Sequence, residues 1–285
     1  MAESVLSPRI LVPESLTEQP TIELTPPSSF PSIGALSVLV WEVEKEKVLF
    51  EKNGSWRLPI ASLTKLMTAL VVIEETRLTE EVPITASAIE EDGSSGELLV
   101  GDVLSVEQLI QASLITSSND AASALAEYVG GKVLNDVNPE ALEASERRAV
   151  FVLLMIRKAQ ALGMTDTKFQ TVTGLDHAEQ FSTAHDLMML VNYLWRAHPK
   201  LMTYTQLPTF STTSRGGKSY TWETTNELLK EVDGIEGGKT GFTTLAHGTL
   251  ITLWQISPGR TLAGIILGSD NRFGEMKKLI EWSRL

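Results

Sequence analysis

Two side chains that can share a proton stand three positions apart in ASLTKLMTAL, residues 61–70: Ser62 and Lys65. On a helix, positions i and i+3 are neighbours, with Cβ atoms about 5–6 Å apart. A lysine amine so placed can rest against the serine hydroxyl. That hydroxyl is a poor nucleophile until a base takes its proton. Lysine is such a base only when neutral, a state favoured by burial and by a second nearby cation. Leu63, Leu66, Met67, Ala69 and Leu70 around the pair read as packing residues. The competing reading is a helix whose lysine buries its stem and snorkels to water. Chance gives on the order of one S-x-x-K match in an ordinary chain, so the pair alone leaves both readings open.

Other chemistries find less support. Cysteine is absent, which removes disulfides, thiolate metal sites and a cysteine nucleophile. His177, His185, His198 and His247 show no HExxH or His-x-His spacing, so no metal site is expected. No G-x-S-x-G elbow marks a serine–histidine triad, and His185-Asp186 at a helix start reads as capping. EGGKTGFT, 236–243, contains a G-K-T triplet, but Asp233 stands where a phosphate loop needs its first glycine. Two further short motifs follow Ser62 and Lys65 in order: SSN at 117–119, opening a helix, and KTG at 239–241, ahead of a strand. A literal SDN also occurs at 269–271, but it lies after KTG, between the last strand and last helix, and is read as a turn.

The elements that must position these residues can be read from the rest of the chain. Its 285 residues, 42% hydrophobic and 21% charged, can bury a sizeable core. The formal net charge of -12 argues against nucleic acid or an anionic membrane surface as partner. No apolar run reaches the length of a membrane span. MAESVLSPRI lacks the basic start and apolar stretch of a signal peptide. Residues 1–34 are Pro-rich and read as a tether or a disordered end. ALSVLVWEVEKEKVLFEKN, 35–53, predicts a hairpin turning at EKEK. Pro59 leads into the helix of Ser62 and Lys65. SVEQ, 105–108, has capping-box form ahead of LIQASLI. Helices are expected at 119–131, about 139–162 and about 183–197. Strand character returns from about 207, in LITLW (250–254) and TLAGIILG (261–268), before a final helix, RFGEMKKLIEWSRL. Strands at both ends of the chain and helices between predict an α+β fold. One antiparallel sheet (about 35–60 and 205–285) would be flanked by helices, as an α/β sandwich, with an inserted all-helical lobe at about 62–200 and a cleft along the seam.

S-x-x-K with S-D-N and K-T-G is the motif set of active-site serine penicillin-binding proteins and class A β-lactamases, and SSN at 117–119 takes the place of the middle motif here. RLPIASLTKLMTALVV, GDVLSVEQLIQASLITSSNDAASALAEYVGG, TGL, FSTAHDL, TNELL, DGIEGGKTGFT and RFGEMKKLIEW together resemble the serine D-alanyl-D-alanine carboxypeptidases, the low-molecular-mass penicillin-binding proteins. The resemblance covers about 35–285. His247 stands where glycine is usual, Ile156 where asparagine is usual and His185 where arginine is common. The chain also ends at the final helix, without the additional C-terminal β-domain of many relatives.

The resemblance implies a penicillin-binding protein/β-lactamase-like fold and removal of the terminal D-alanine from peptidoglycan stem peptides. Ser62 would attack, Lys65 would take its proton, Ser117 would relay a proton to the leaving amine, and Asn119 would hold the substrate backbone and orient Lys65. Lys239 would supply the second cation. Backbone N–H groups of Ser62 and Phe242 would form the oxyanion hole, with Gly241 completing the motif. Thr240, Lys239 and Arg272 would receive the substrate carboxylate. No cofactor or metal is implied, β-lactams would act as inhibitors at the same serine, and the site of action would be extracytoplasmic, with the export segment absent from this chain. A D,D-endopeptidase and a non-catalytic β-lactam-binding module remain alternatives. A class A β-lactamase is disfavoured, since no E-x-x-L-N segment lies between 120 and 235.

Overall fold

The computed structural model describes residues 30–90, 93, 96–134 and 143–285. Most of the expected tether and the first residues of the expected helix at 139–162 lie outside the described residues. Strands β1 (Ser37–Glu42) and β2 (Lys47–Lys52) form the expected hairpin, and β7 (Ile235–Thr243), β8 (His247–Ser257) and β9 (Arg260–Ser269) come from the other end of the chain. They join in one antiparallel sheet of order β2-β1-β9-β8-β7, so the strand carrying KTG is an edge strand.

Alternation along these strands divides the core between two faces. Leu39 and Trp41 of β1, Ile251 and Leu253 of β8, and Ala263 and Ile265 of β9 pack with the large helical block. Val38 and Val40, Leu250 and Trp254, and Leu262 and Ile266 pack instead with α8 (Arg272–Ser283) through Met276, Leu279 and Ile280. Burial on both faces explains why β8 and β9 read as nearly continuous apolar runs rather than as alternating ones.

The helical block contains α1 (Thr64–Glu75), α2 (Val106–Ile115), α3 (Asn119–Val133), α4 (Ala144–Ala161), α5 (Ala184–Ala197) and α6 (Pro199–Tyr204). Every residue of α1 from Thr64 to Val72 is buried. A helix surrounded on all sides has no solvent face, and burial of Leu66, Met67 and Leu70 contributes about 1.5–3 kcal/mol each. Lys65 therefore has no surface to snorkel to, and it is 0% exposed.

Three features depart from the sequence reading. Ser62 lies in a 3-10 turn, Ala61–Leu63, just ahead of α1; side chains at i and i+3 still align in that geometry. The strand signal after 207 yields a separate two-stranded sheet of β5 (Thr209–Thr213) and β6 (Ser219–Glu223), which packs on α2. Their strictly alternating burial, with outward residues exposed, is that of a one-faced hairpin and not of a central strand. A second small sheet, pairing β3 (Glu81–Pro83) with β4 (Val103–Ser105), lies within the lobe expected at about 62–200, which is therefore not all-helical; a short helix, α7 (Leu228–Glu231), precedes β7.

The capping box at the start of α2 forms as the sequence predicts. Ser105 Oγ accepts from the Gln108 N–H at 3.2 Å, and Gln108 Oε1 accepts from the Ser105 N–H at 2.7 Å. Ser105→Ala should lower stability by about 0.5–2 kcal/mol, read as a lower urea midpoint with an unchanged slope; no shift in midpoint would show that α2 is held by packing alone.

Candidate active site

The site is assembled where the turn before α1, the start of α3 and the edge strand β7 meet. Lys65 Nζ lies 2.9 Å from Ser62 Oγ and donates to Asn119 Oδ1 and to the Thr173 carbonyl, each at 2.7 Å. Neither carbonyl oxygen can donate a proton in return. In its uncharged form Lys65 can keep both bonds with its two N–H groups and offer its lone pair to the Ser62 hydroxyl. The Thr173 carbonyl is a contributor the sequence did not reveal; the TGL motif at 173–175 was its one visible trace. Thr68, one turn along α1, fixes the same segment by donating to the Val172 carbonyl at 2.6 Å.

The Ala61–Ser62 peptide is clasped from two sides by backbone that has no room for a side chain. A Cβ on Gly174, whose φ is +91°, would lie 2.0 Å from the Ala61 oxygen. A Cβ on Gly241 would lie 2.9 Å from the Ser62 nitrogen. The glycines of TGL and KTG are thus required by close approach, and KTG brings β7 directly against Ser62. Ala61 itself has φ +47° and Ser117 φ +62°, in the left-handed region that non-glycine residues rarely occupy. Such strain concentrates at functional sites, where the surrounding structure enforces it.

On the opposite wall, Lys239 Nζ donates to Ser117 Oγ at 2.8 Å and to the Thr240 carbonyl at 2.9 Å. Burial, then the charges of Lys65 and Arg272, hold the Lys239 amine well below the ordinary lysine range. Thr240 Oγ1 lies 2.5 Å from Thr225 Oγ1, a second hydroxyl missed from sequence. Arg272 opens α8 as expected. Burial lowers its pKa, against the opposing charge of Glu227, and its Nε has no hydrogen-bond partner among the described residues. Phe242 is 67% exposed beside KTG on the open edge. Ser118 caps α3, its Oγ accepting from the Ala121 N–H at 3.1 Å, and the Asn119 side chain meets Lys65.

The three departures noted in sequence lie outside this cluster. His185 Nε2 faces Glu51 at 3.2 Å on the β2 side of α5. Ile156 is part of α4. His247 ends the β7–β8 turn with φ +53°, a conformation in which glycine is the easier residue, and pairs with Asp270 at 3.0 Å. The SDN string forms the strand-to-helix turn expected of it: Ser269 ends β9 and Asn271 caps α8.

A five-stranded antiparallel sheet backed by helices, with serine, lysine, S-x-N and K-T-G converging at its edge, defines a chain of the penicillin-binding protein fold. It belongs to the D-alanyl-D-alanine carboxypeptidase family, whose model matches residues 24–271. Among its relatives, D-alanyl-D-alanine carboxypeptidase DacF of Bacillus subtilis is 30% identical over 87% of this chain and 62% of its own length. D-alanyl-D-alanine endopeptidase of Pseudomonas aeruginosa is 33% identical over 86% of this chain and 76% of its own length. A penicillin-binding protein homologue of Mycobacterium tuberculosis superposes with a TM-score of 0.78 at 27% identity, over 90% of this chain and 93% of that one. The chain thus spans less than two thirds of the length of the Bacillus relative.

The buried Lys239 charge has a thermodynamic signature. Because its folded pKa lies below the unfolded value of about 10.4, the unfolded chain binds more protons at this site between those two values. Stability carried by this group therefore rises with pH through that window and falls as pH is lowered. Lys239→Met removes the effect, so stability of the variant relative to the parent should improve steadily as pH is brought down from about 10 toward neutrality. Urea denaturation across that range checks it; a difference independent of pH would show that the amine is not destabilised by burial.

Proposed function

We propose that the chain is a serine D-alanyl-D-alanine carboxypeptidase, and that Ser62, Lys65, Ser117, Asn119 and Lys239 carry its chemistry. The observation supporting this most directly is the orientation of the Lys65 amine, tied to the carbonyl oxygens of Asn119 and Thr173 and facing Ser62 Oγ. In this reading the penultimate D-alanine carbonyl lies over Ser62, with the stem peptide added alongside the open edge of β7. Lys65 takes the Ser62 proton as Oγ attacks. The N–H groups of Ser62 and Phe242 receive the developing oxyanion. Ser117, held by Lys239, passes a proton to the departing D-alanine amine, and water then releases the acyl-enzyme. The terminal carboxylate lies among the Thr240 and Thr225 hydroxyls and the Arg272 guanidinium, whose Nε has no hydrogen-bond partner among the described residues and suits an anionic oxygen. β-Lactams would acylate the same serine.

A chain acting on peptidoglycan works outside the cytoplasmic membrane. Among the described residues no helix is long and apolar enough to cross a membrane. A cross-link-cutting D,D-endopeptidase is a second reading, supported by the 33% identity to the Pseudomonas endopeptidase.

Incubation with a labelled penicillin should give an adduct on Ser62, lost in Ser62→Ala. A pentapeptide ending in D-Ala-D-Ala should lose D-alanine. Lys65→Ala should slow both acylations by about 10²–10⁴-fold. Absence of an adduct on the parent protein would overturn the serine–lysine mechanism. Release only from cross-linked dimers would favour the endopeptidase, and an adduct with no release from either substrate the binding module.

A further inference from the structure

Glu275 stands one turn into α8 from Arg272 and is 8% exposed. Its carboxylate joins three segments that are distant in sequence. Oε1 accepts from the backbone N–H groups of Gly34 and Ala35, in the strap that leads into β1. Oε2 accepts from Ser269 Oγ, at the end of β9, at 2.5 Å. Ser269 Oγ in turn accepts from the Asn271 N–H at 3.0 Å, and Asn271 Oδ1 caps α8 by accepting from the Gly274 N–H at 3.1 Å. A chain of hydrogen bonds therefore runs from the strap, through Glu275 and Ser269, to the residue immediately before Arg272.

The Arg272 side chain is poorly anchored by comparison. Its guanidinium carbon lies 4.7 Å from the centre of the Phe273 ring, and its Nε has no hydrogen-bond partner among the described residues. Its direction follows from the position of the first turn of α8 against β8 and β9. The Glu275 bonds fix that position. A buried carboxylate accepting from backbone N–H groups and a hydroxyl makes charge-assisted bonds, which resist displacement more than neutral ones.

We infer that Glu275 is a positioning residue for the substrate-carboxylate pocket, acting through the turn Ser269–Asn271 on the aim of Arg272. This inference rests on the reading of Arg272 as the group that receives the terminal carboxylate. Glu275 touches no reacting atom; its effect is confined to substrates that carry the anion Arg272 binds.

The test compares kcat/KM on two peptides that differ only at the C-terminus, D-Ala-D-Ala as free acid and as amide. Glu275→Ala should lower turnover of the acid about 10- to 100-fold, the scale of a misplaced binding group, and leave the amide within about twofold. In an Arg272→Ala background the same change should cost nothing further on the acid. Glu275→Gln, which retains an acceptor for the strap, should recover most of the loss. Ser269→Ala cuts the chain at its next link and should reproduce the selective loss, so the inference stays testable if Glu275→Ala fails to fold. Equal losses on acid and amide, or a further loss in the Arg272→Ala background, would overturn it and leave Glu275 a stabilising residue only. If Arg272→Ala itself leaves the acid-to-amide ratio unchanged, the carboxylate reading of Arg272 falls, and the role of Glu275 with it.

Discussion

A primary amine held away from water beside a serine hydroxyl is the constraint on which the rest of the site depends. Lys65 is enclosed because α1 is buried on every side through Val72. Enclosure alone would leave the amine free to turn. The carbonyl oxygens of Asn119 and Thr173 remove that freedom, and each must be delivered from a distant part of the chain. Asn119 arrives at the start of α3, where Ser118 takes over capping. Thr173 arrives on a segment that Thr68 ties to α1 and that can approach only because Gly174 has no side chain.

Electrostatics and strain both run against stability here. Lys65, Lys239 and Arg272 place three basic groups near one another in a chain of net charge -12. Burying such charges is costly, and the left-handed conformations of Ala61 and Ser117 add about 1–3 kcal/mol each. The two-sided packing of the sheet, with α1 and α5 on one face and α8 on the other, offsets these costs. What accompanies the strain is an amine facing a hydroxyl, with Lys239 and Arg272 beside it.

The open edge of β7 and the helix following β9 then divide the work. The edge, with the exposed Phe242, is free to take up an extended peptide through its backbone groups. In the proposed reading the start of α8 meets the far end of that peptide through Arg272; Glu275 ties this helix start to the strap before β1 and to the last strand. The β5–β6 hairpin reaches the segment that lies against the start of α3. Trp222 of β6 donates to the Gly96 carbonyl at 3.0 Å, and Gly96 abuts Ser118.

Local spacing was legible from the sequence because it follows from backbone geometry that any helix or strand imposes. Ser62 and Lys65 had to meet at i and i+3, Ser105 and Gln108 had to form a capping box, and the apolar runs at 250–254 and 261–268 read as strands. The ordered motifs further indicated that three distant pieces share a site, and strands at both ends of the chain implied one sheet. Tertiary structure alone decided what depends on contacts across the chain. The Thr173 carbonyl is a backbone atom, so no side-chain identity announces it, and it meets an amine 108 residues away. The 3-10 turn at Ser62 and the capping of α3 by Ser118 are settled by how those turns pack. The strand signal after 207 could not specify which sheet it joined, because alternation fixes which face of a strand is buried but not against what. Glu275, an ordinary acidic residue in the first turn of a helix, acquires its role only when the strap and the end of β9 are brought to its two oxygens.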